Sequence, residues 1–242
     1  LSKYLKKNLY KIHTDLDVFY NSYNENKSIT ITGTNGKSTT SKLLYEILKD
    51  QNYDVRLVGN IGNPILTEKN IKRKTIFVIE ASSYQLDYSK EFKTNFAVIL
   101  NISPDHLERH VTLENYIEAK FKLLKNQTVK DFAFLNTNNT HINRKIKKTK
   151  FQSKIIKVNK KIGIKLLKEI NNPYFNSNGN RENLSFIIEI AKKLKIKENK
   201  LRKTLINFKG LKYRQEIIYR SKNLTIINDS KSTSYSSSIS TL

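Results

Sequence analysis

One junction limits what this chain can become. In SITITGTNGKSTTSKLL, residues 28–44, a short apolar strand-like run passes through a turn with two glycines into an amphipathic helix. Ile31 stands five positions before Gly36, so the full G-x-x-x-x-G-K-[ST] spacing is not met. The tighter Gly33-Thr-Asn-Gly36-Lys37-Ser38 still has the parts of a phosphate cradle. Glycines permit a turn with inward N–H groups, the helix aims its positive end at the same point, and Lys37 adds a cation. Ser38 can then ligate Mg²⁺. An ordinary strand-turn-helix corner with a surface lysine is the alternative.

Downstream, strand-like and helix-like stretches alternate. Strands are expected at 28–32, 54–58, 75–80, 95–102, 132–135 and 154–158, and helices at 39–49, 113–125, 183–194 and 198–208, with Thr112 as an N-cap. NFAVILNI, residues 95–102, is nearly all apolar, the pattern of a strand covered on both faces. Strands separated by helices predict an α/β fold with a doubly wound, mostly parallel sheet. Near residue 210 the pattern changes, and YRQEIIYR and LTIIND read as two strands opening a second α/β domain. The expected divisions are residues 1–20 as the tail of an amino-terminal domain, 21–216 as the central domain and 217–242 as the beginning of a carboxyl-terminal one.

At 242 residues the chain can bury a sizeable core. It has no cysteine, which excludes disulfides and zinc-thiolate sites and suits a cytoplasmic protein. No segment has signal-peptide or membrane-spanning character. The formal charge of +24 raises the question of nucleic acid or an anionic membrane. The lysines, however, are spread along the whole chain among Asn and Ile, without the aromatic interleaving of a single-strand groove. That distribution argues for compositional bias, with no nucleic-acid or membrane partner. There is no methionine, even at position 1, so the sequence reads as a fragment of a longer protein.

Three further stretches bear on the chemistry. Glu80 ends the strand of TIFVIEASSYQL, where α/β sheets place their ligands, and its carboxylate could hold Mg²⁺. In NISPDHLERH, Asp105 and His106 follow another strand end, within reach of a metal or substrate role. Lys120, in YIEAKFKLL, reads alone as a solvent-facing lysine. No Ser-His-Asp or cysteine nucleophile constellation is present.

In order, these stretches resemble the Mur ligases, the ATP-dependent amide-forming enzymes of peptidoglycan precursor synthesis. GTNGKSTT is similar to the family's ATP loop; GNIGNPIL (59–66), EASSYQLD (80–87), NISPDHLERH and INDSKST (227–233) resemble the D-glutamate-adding branch. Other Mur ligases and the folylpolyglutamate synthases carry different sequences after the aspartate of the last motif. The resemblance implies ATP contacts for Gly33, Thr34, Asn35, Gly36, Lys37, Ser38 and Thr39, with Mg²⁺ on Ser38 and Glu80. It implies that Asn60 and His106 lie near a UDP-muramoyl substrate, with His106 close to a second Mg²⁺. It also implies that Lys120 becomes a carbamate metal ligand, which exchanges a cation for an anionic oxygen donor. Asn180 and Asn183 match an adenine-contacting pair, and Arg214 an arginine near the phosphates. Asp229 and Lys231 match residues near ribose and phosphate, and Thr233 one that touches D-glutamate. Gly179, Tyr213 and Ser234 depart from the family's usual residues.

The implied reaction adds D-glutamate to UDP-N-acetylmuramoyl-L-alanine through an acyl phosphate, in a monomer whose closing third domain completes the site. These residues alone are then expected to bind ATP weakly and turn over little. Three alternatives are a folylpolyglutamate synthase or another Mur ligase, a nucleic-acid-stimulated P-loop ATPase, and a degenerate nucleotide-binding module.

Overall fold

The computed structural model describes residues 7–159, 162 and 164–232. Its centre is a six-stranded sheet built from β1 (Ser28–Thr32), β2 (Val55–Gly59), β3 (Ile76–Glu80), β4 (Phe96–Ile99), β5 (Phe132–Asn136) and β6 (Lys154–Val158). Their order is β2-β3-β1-β4-β5-β6, and every pairing is parallel. The three central strands are buried at every position, which explains the nearly continuous apolar sequences of β3 and β4; β1, SITIT, buries hydroxyls as well.

Alternation along each strand feeds two helical layers. Ile29, Ile31, Val78, Val98 and Phe134 pack on one face against α2 (Lys37–Asp50) and α8 (Asn178–Lys193), through Leu43, Leu44, Ile47, Leu184 and Ile187. Phe77, Ile79, Ala97, Ile99 and Leu135 face the other layer, which includes α1 (Asp15–Tyr23), α3 (Ser83–Tyr88) and α5 (Leu113–Phe121). The remaining helices are α4 (Leu107–His110), α6 (Thr140–Lys148), α7 (Ile164–Ile170) and α9 (Glu198–Asn207). From β1 the chain crosses to β2, returns to β3 on one side of β1, then passes to β4 on the other. The carboxyl end of β1 is therefore the switch point at which α/β sheets open a crevice.

The strand expectations hold to within a few residues, and Thr112 caps α5 by accepting from Asn115 N at 3.1 Å. Two helices begin earlier than expected. Gly36 takes the N-cap of α2 with a left-handed φ of 84°, so the helix starts at Lys37, and Ser177 caps α8 by accepting from Asn180 N at 3.3 Å. Helices α1, α3, α4, α6 and α7 were not anticipated. The division expected at residue 20 falls inside α1, whose Leu16 and Phe19 are buried, Phe19 edge-on to Phe77 at 4.7 Å. The two carboxyl-terminal strands, β7 (Glu216–Arg220) and β8 (Thr225–Asn228), form an antiparallel hairpin with Ile218, Tyr219 and Leu224 exposed.

Helix α1 is fastened by one carboxylate. Asp17 is fully buried and accepts from Ser89 Oγ at 2.7 Å, from Phe92 N at 2.9 Å, Glu91 N at 3.0 Å and Lys90 N at 3.1 Å, and from Thr14 N at 3.3 Å. Burial pushes its pKa up, but these donors together outweigh it and hold the carboxyl below its ordinary 3.8. A depressed carboxylate pKa contributes stability above the ordinary value and loses it as pH falls through the folded one. Asp17→Ala is expected to cost about 2–3 kcal/mol in urea unfolding at pH 7, by stranding several buried donors. It should also flatten the loss of stability below about pH 4. An unchanged unfolding midpoint would show that these bonds do not fasten α1.

Candidate functional site

The glycine turn lies at the end of β1, where Asn101 holds it from the end of β4. Thr34 N donates to Asn101 O at 2.9 Å and Asn35 N to Asn101 Oδ1 at 2.8 Å, while Asn101 Nδ2 donates to Asn35 O at 3.2 Å. Among the described residues no side chain caps α2, which leaves the N–H groups of its first turn to an anion. Gly36 is required on two grounds. Its φ is left-handed, and a Cβ there would stand 2.3 Å from Asn183 Oδ1. The absent side chain lets α8 close over the turn.

Lys37 folds its ammonium back onto the carbonyls of Gly33 and Thr34, each at 2.9 Å. Burial lowers its pKa; the Glu80 carboxylate opposes this, Arg214 adds to it, and Asp105 opposes it more weakly. Lys120, expected from sequence alone to face solvent, is only 1% exposed. Its aliphatic stem lies within the layer of α5, and its Nζ donates to the same Gly33 carbonyl at 2.9 Å, 4.5 Å from the Tyr116 ring centre. Burial pushes the Lys120 pKa well below that of an ordinary lysine; the nearby Lys37 ammonium lowers it further, and Asp105 partly compensates. The Tyr116 hydroxyl shares a 3.2 Å hydrogen bond with Thr34 Oγ1, and burial pushes its pKa up to about 12.

Opposite the loop, Glu80 ends β3 with 1% exposure. One carboxylate oxygen accepts from Asn60 Nδ2 at 2.9 Å; the other, Oε2, is buried without a hydrogen-bond partner among the described residues. An unpaired buried carboxylate oxygen is costly unless a cation completes it. Glu80, Asn60, Asp105 and His106 line one cleft together with Gly36, Lys37 and Ser38. His106 has a left-handed φ of 53°, and its ring lies 3.5 Å from Asp105 Oδ2 and 3.6 Å from Glu108 Oε1. Among the described residues no three His, Asp or Glu side chains converge as a ready-made metal cage. The Ser38 hydroxyl and Glu80 Oε2 instead suit a hard cation that keeps phosphate or water oxygens as further ligands.

A second cleft adjoins the first and shares Asn35, Gly36, Ser38 and Arg214 with it. Thr39, Asn180, Asn183 and Asp229 line this second space. Asn180 Nδ2 donates to Tyr174 O at 2.8 Å and to Gln215 Oε1 at 2.9 Å, and Asn183 Nδ2 lies 3.5 Å from Asn180 Oδ1. Asp229 Oδ1 accepts from Gln215 N at 3.1 Å. The structure thus brings the loop, Asn60, Glu80, His106, both asparagines, Arg214 and Asp229 around two joined clefts. Lys120 lines neither and touches the loop from behind, through the Gly33 carbonyl. Lys231 lines neither: its N donates to Tyr213 O at 3.0 Å and its ammonium lies 5.7 Å from the Tyr213 ring centre. Thr233 lies outside the described residues. The sequence reading missed Asn101, Tyr116 and Gln215. Asn101 had a signal, since it stands just past an apolar strand where α/β sheets place polar ligand-side groups.

Comparison with known proteins bears on these features. Residues 31–197 match the family model described as the Mur ligase middle domain. The chain is 37% identical to the UDP-N-acetylmuramoylalanine--D-glutamate ligase of Clostridioides difficile (strain 630), over 87% of this chain and 51% of that protein. It is 34% identical to the protein of the same name from Prochlorococcus marinus (strain MIT 9312), over 97% of this chain and 54% of the relative. The chain therefore spans about half the length of the curated relatives it matches. Among solved structures it resembles the MurF ligase from Thermotoga maritima in complex with ADP, with a TM-score of 0.67, 17% identity, and coverage of 88% of this chain and 55% of that one. At that identity the likeness is one of fold.

Proposed function

This chain belongs to the Mur ligase family, and from that premise we propose that it is the ATP-binding portion of a ligase that joins D-glutamate to UDP-N-acetylmuramoyl-L-alanine. The observation that carries this reading is the meeting of the uncapped α2 turn and Lys37 with the unpaired Glu80 oxygen across the end of β1. The choice of acceptor rests on the relatives named as D-glutamate ligases.

A carboxylate resists attack by an amine, so its oxygen must first become a leaving group. In the proposed reaction the alanyl carboxylate attacks the γ-phosphorus of ATP, the bond to ADP breaks, and an acyl phosphate forms. The free amine of D-glutamate then adds to the acyl carbon, inorganic phosphate departs, and the amine proton passes to solvent. Two anions must approach in the first step, so electrostatic stabilisation carries the burden. Lys37 would exchange its two loop carbonyls for the β- and γ-phosphate oxygens. The first-turn N–H groups of α2 would hold the same phosphates, and Arg214, common to both clefts, would balance charge between nucleotide and acyl group. Asn180 and Asn183 would border the purine, with Asp229 and Lys231 toward ribose and phosphate. Asn60 and His106 would face the UDP-muramoyl substrate, and Thr233 the incoming amino acid.

Mg²⁺ fits the donors present. Ser38 and Glu80 would hold one ion, with His106 and Lys120, once it is a carbamate, toward a second. Bound there, magnesium would neutralise phosphate oxygens and keep the transferred group in line. The depressed basicity of Lys120 supports the carbamate assignment, because a neutral amine is the form that adds CO₂.

We further infer a cytoplasmic enzyme acting on small molecules as a monomer, without nucleic-acid or membrane partners. No helix among the described residues is long and apolar enough to cross a membrane. The test is phosphate release by the complete protein. Release that requires ATP, UDP-N-acetylmuramoyl-L-alanine and D-glutamate together is the expected result. Release supported equally by a different amino acid, by a folate, or by DNA would overturn the assignment.

A further inference from the structure

Two of the cleft's groups hang from strands that do not touch. Glu80 ends β3 and His106 follows β4, with β1 between them, so no ladder hydrogen bond sets their separation. A side-chain contact spans the gap. His110, the last residue of α4 and 5% exposed, places Nε2 3.0 Å from the buried Oγ of Ser83, three residues beyond Glu80.

The surrounding rings reinforce this bridge. His110 stacks on Tyr84 at 5.6 Å and 12°, and tilts against Tyr116 at 5.2 Å. The same two tyrosines flank His106 at 5.1 and 6.4 Å. Burial lowers the His110 pKa; Asp87 opposes the shift, and Lys120, His106 and Arg109 add to it.

The backbone is strained at both ends of this short turn. His106 has φ 53°, and Val111 has φ 69° and ψ −46°, a γ-turn of the rare hand closed by Thr112 N on His110 O at 2.8 Å. That carbonyl also accepts from Asn115 Nδ2 at 2.9 Å. A β-branched residue with positive φ persists only where its neighbours over-determine it. Val111 is 78% exposed, so the constraint comes from the His110 side.

We propose that His110, bonded to Ser83, is a positioning residue that fixes the spacing of Glu80 and His106 over the end of β1, and with it the cation-binding geometry of the cleft. The inference rests on the ATP and metal reading above. It is tested with His110→Phe, His110→Gln and Ser83→Ala, by titrating Mn²⁺ in the presence of a non-hydrolysable ATP analogue and by thermal melting. His110→Phe and Ser83→Ala should each weaken Mn²⁺ about tenfold, as loss of a supporting contact does at metal sites. The double variant should be no worse than the weaker single one, because both remove the same bond. His110→Gln keeps a polar partner for Ser83 and should stay within about threefold of the parent, by the same reasoning about supporting contacts.

Unchanged Mn²⁺ affinity in His110→Phe and Ser83→Ala, additive losses, or equal losses in Gln and Phe would overturn the proposal. If His110→Phe does not fold, Ser83→Ala, which removes one hydroxyl, decides it. If the parent protein itself binds no Mn²⁺ with the analogue, the reading of the site fails first. The bridge is then judged by the His106 ring resonance in Ser83→Ala: a shift supports it, and an unmoved signal overturns it.

Discussion

In a protein carrying Gly36→Ala, ATP affinity is expected to fall at least about a hundredfold, the scale of losing a preorganised set of donors. The backbone at 36 has φ 84°, a conformation that costs a non-glycine residue about 1–3 kcal/mol. The added methyl would also stand 2.3 Å from Asn183 Oδ1 and 2.9 Å from Asn183 Nδ2. The atoms in the way are the amide tip of Asn183 on α8, so that side chain must swing aside while the turn takes up the left-handed strain. The two adjustments together would disturb the N–H groups proposed to hold phosphate. Calorimetric titration with ATP, beside a melting curve, separates lost binding from lost fold. Affinity within about threefold of the parent in a folded variant would refute the phosphate-cradle assignment, since that cradle depends on the turn's geometry.

Lys37→Met should affect activity and stability in opposite directions. The proposed role of Lys37 is to meet charge that develops on the transferred phosphoryl group, and loss of one such group costs roughly 10²–10³-fold in kcat. In the free protein, however, the ammonium is half-buried and shares the Gly33 carbonyl with the buried Lys120, at 2.9 Å each. Burial destabilises both charged forms. Replacing one by an apolar chain of similar length removes that strain, so the variant should melt at the parent temperature or above it. A variant with parental kcat would remove Lys37 from the reaction. One that is both inactive and unfolded would show that the lysine holds the loop together instead.

The parts of the fold most evident in the sequence are those where burial leaves a continuous mark. NFAVILNI and TIFVIE announce strands covered on both faces, and β1 spans the expected SITIT, residues 28–32. Polar helices are harder to see. HINRKIKK in α6 places Ile142 and Ile146 on its inner side, but its cations outnumber its apolar residues. The start of α8 is written Asn-Gly-Asn, a pattern that suggests a turn until the Ser177 cap is considered. Most residues that carried a motif line the clefts, whereas Lys231 does not. Contacts with a partner far along the chain were not legible, because spacing gives no hint of the partner. Lys120 was named only through the family resemblance, and the carbonyl it meets lies 87 residues away; Tyr116, which reaches Thr34 across 82, was missed. His110 belonged to a quoted motif, yet its meeting with Ser83 across β1 exists only after the sheet has ordered its strands.

The exposed hairpin gives the second cleft an uneven foundation. Six strands and two helical layers support the loop and Glu80, whereas Asp229 is carried just beyond a ladder of two strands with little apolar cover. Such a ladder is marginal in water by itself. Most of the second cleft is thus set in advance by the loop, α2 and α8, and in the proposed reading its Asp229 side, resting on the hairpin, is the part left to adjust to an incoming nucleotide.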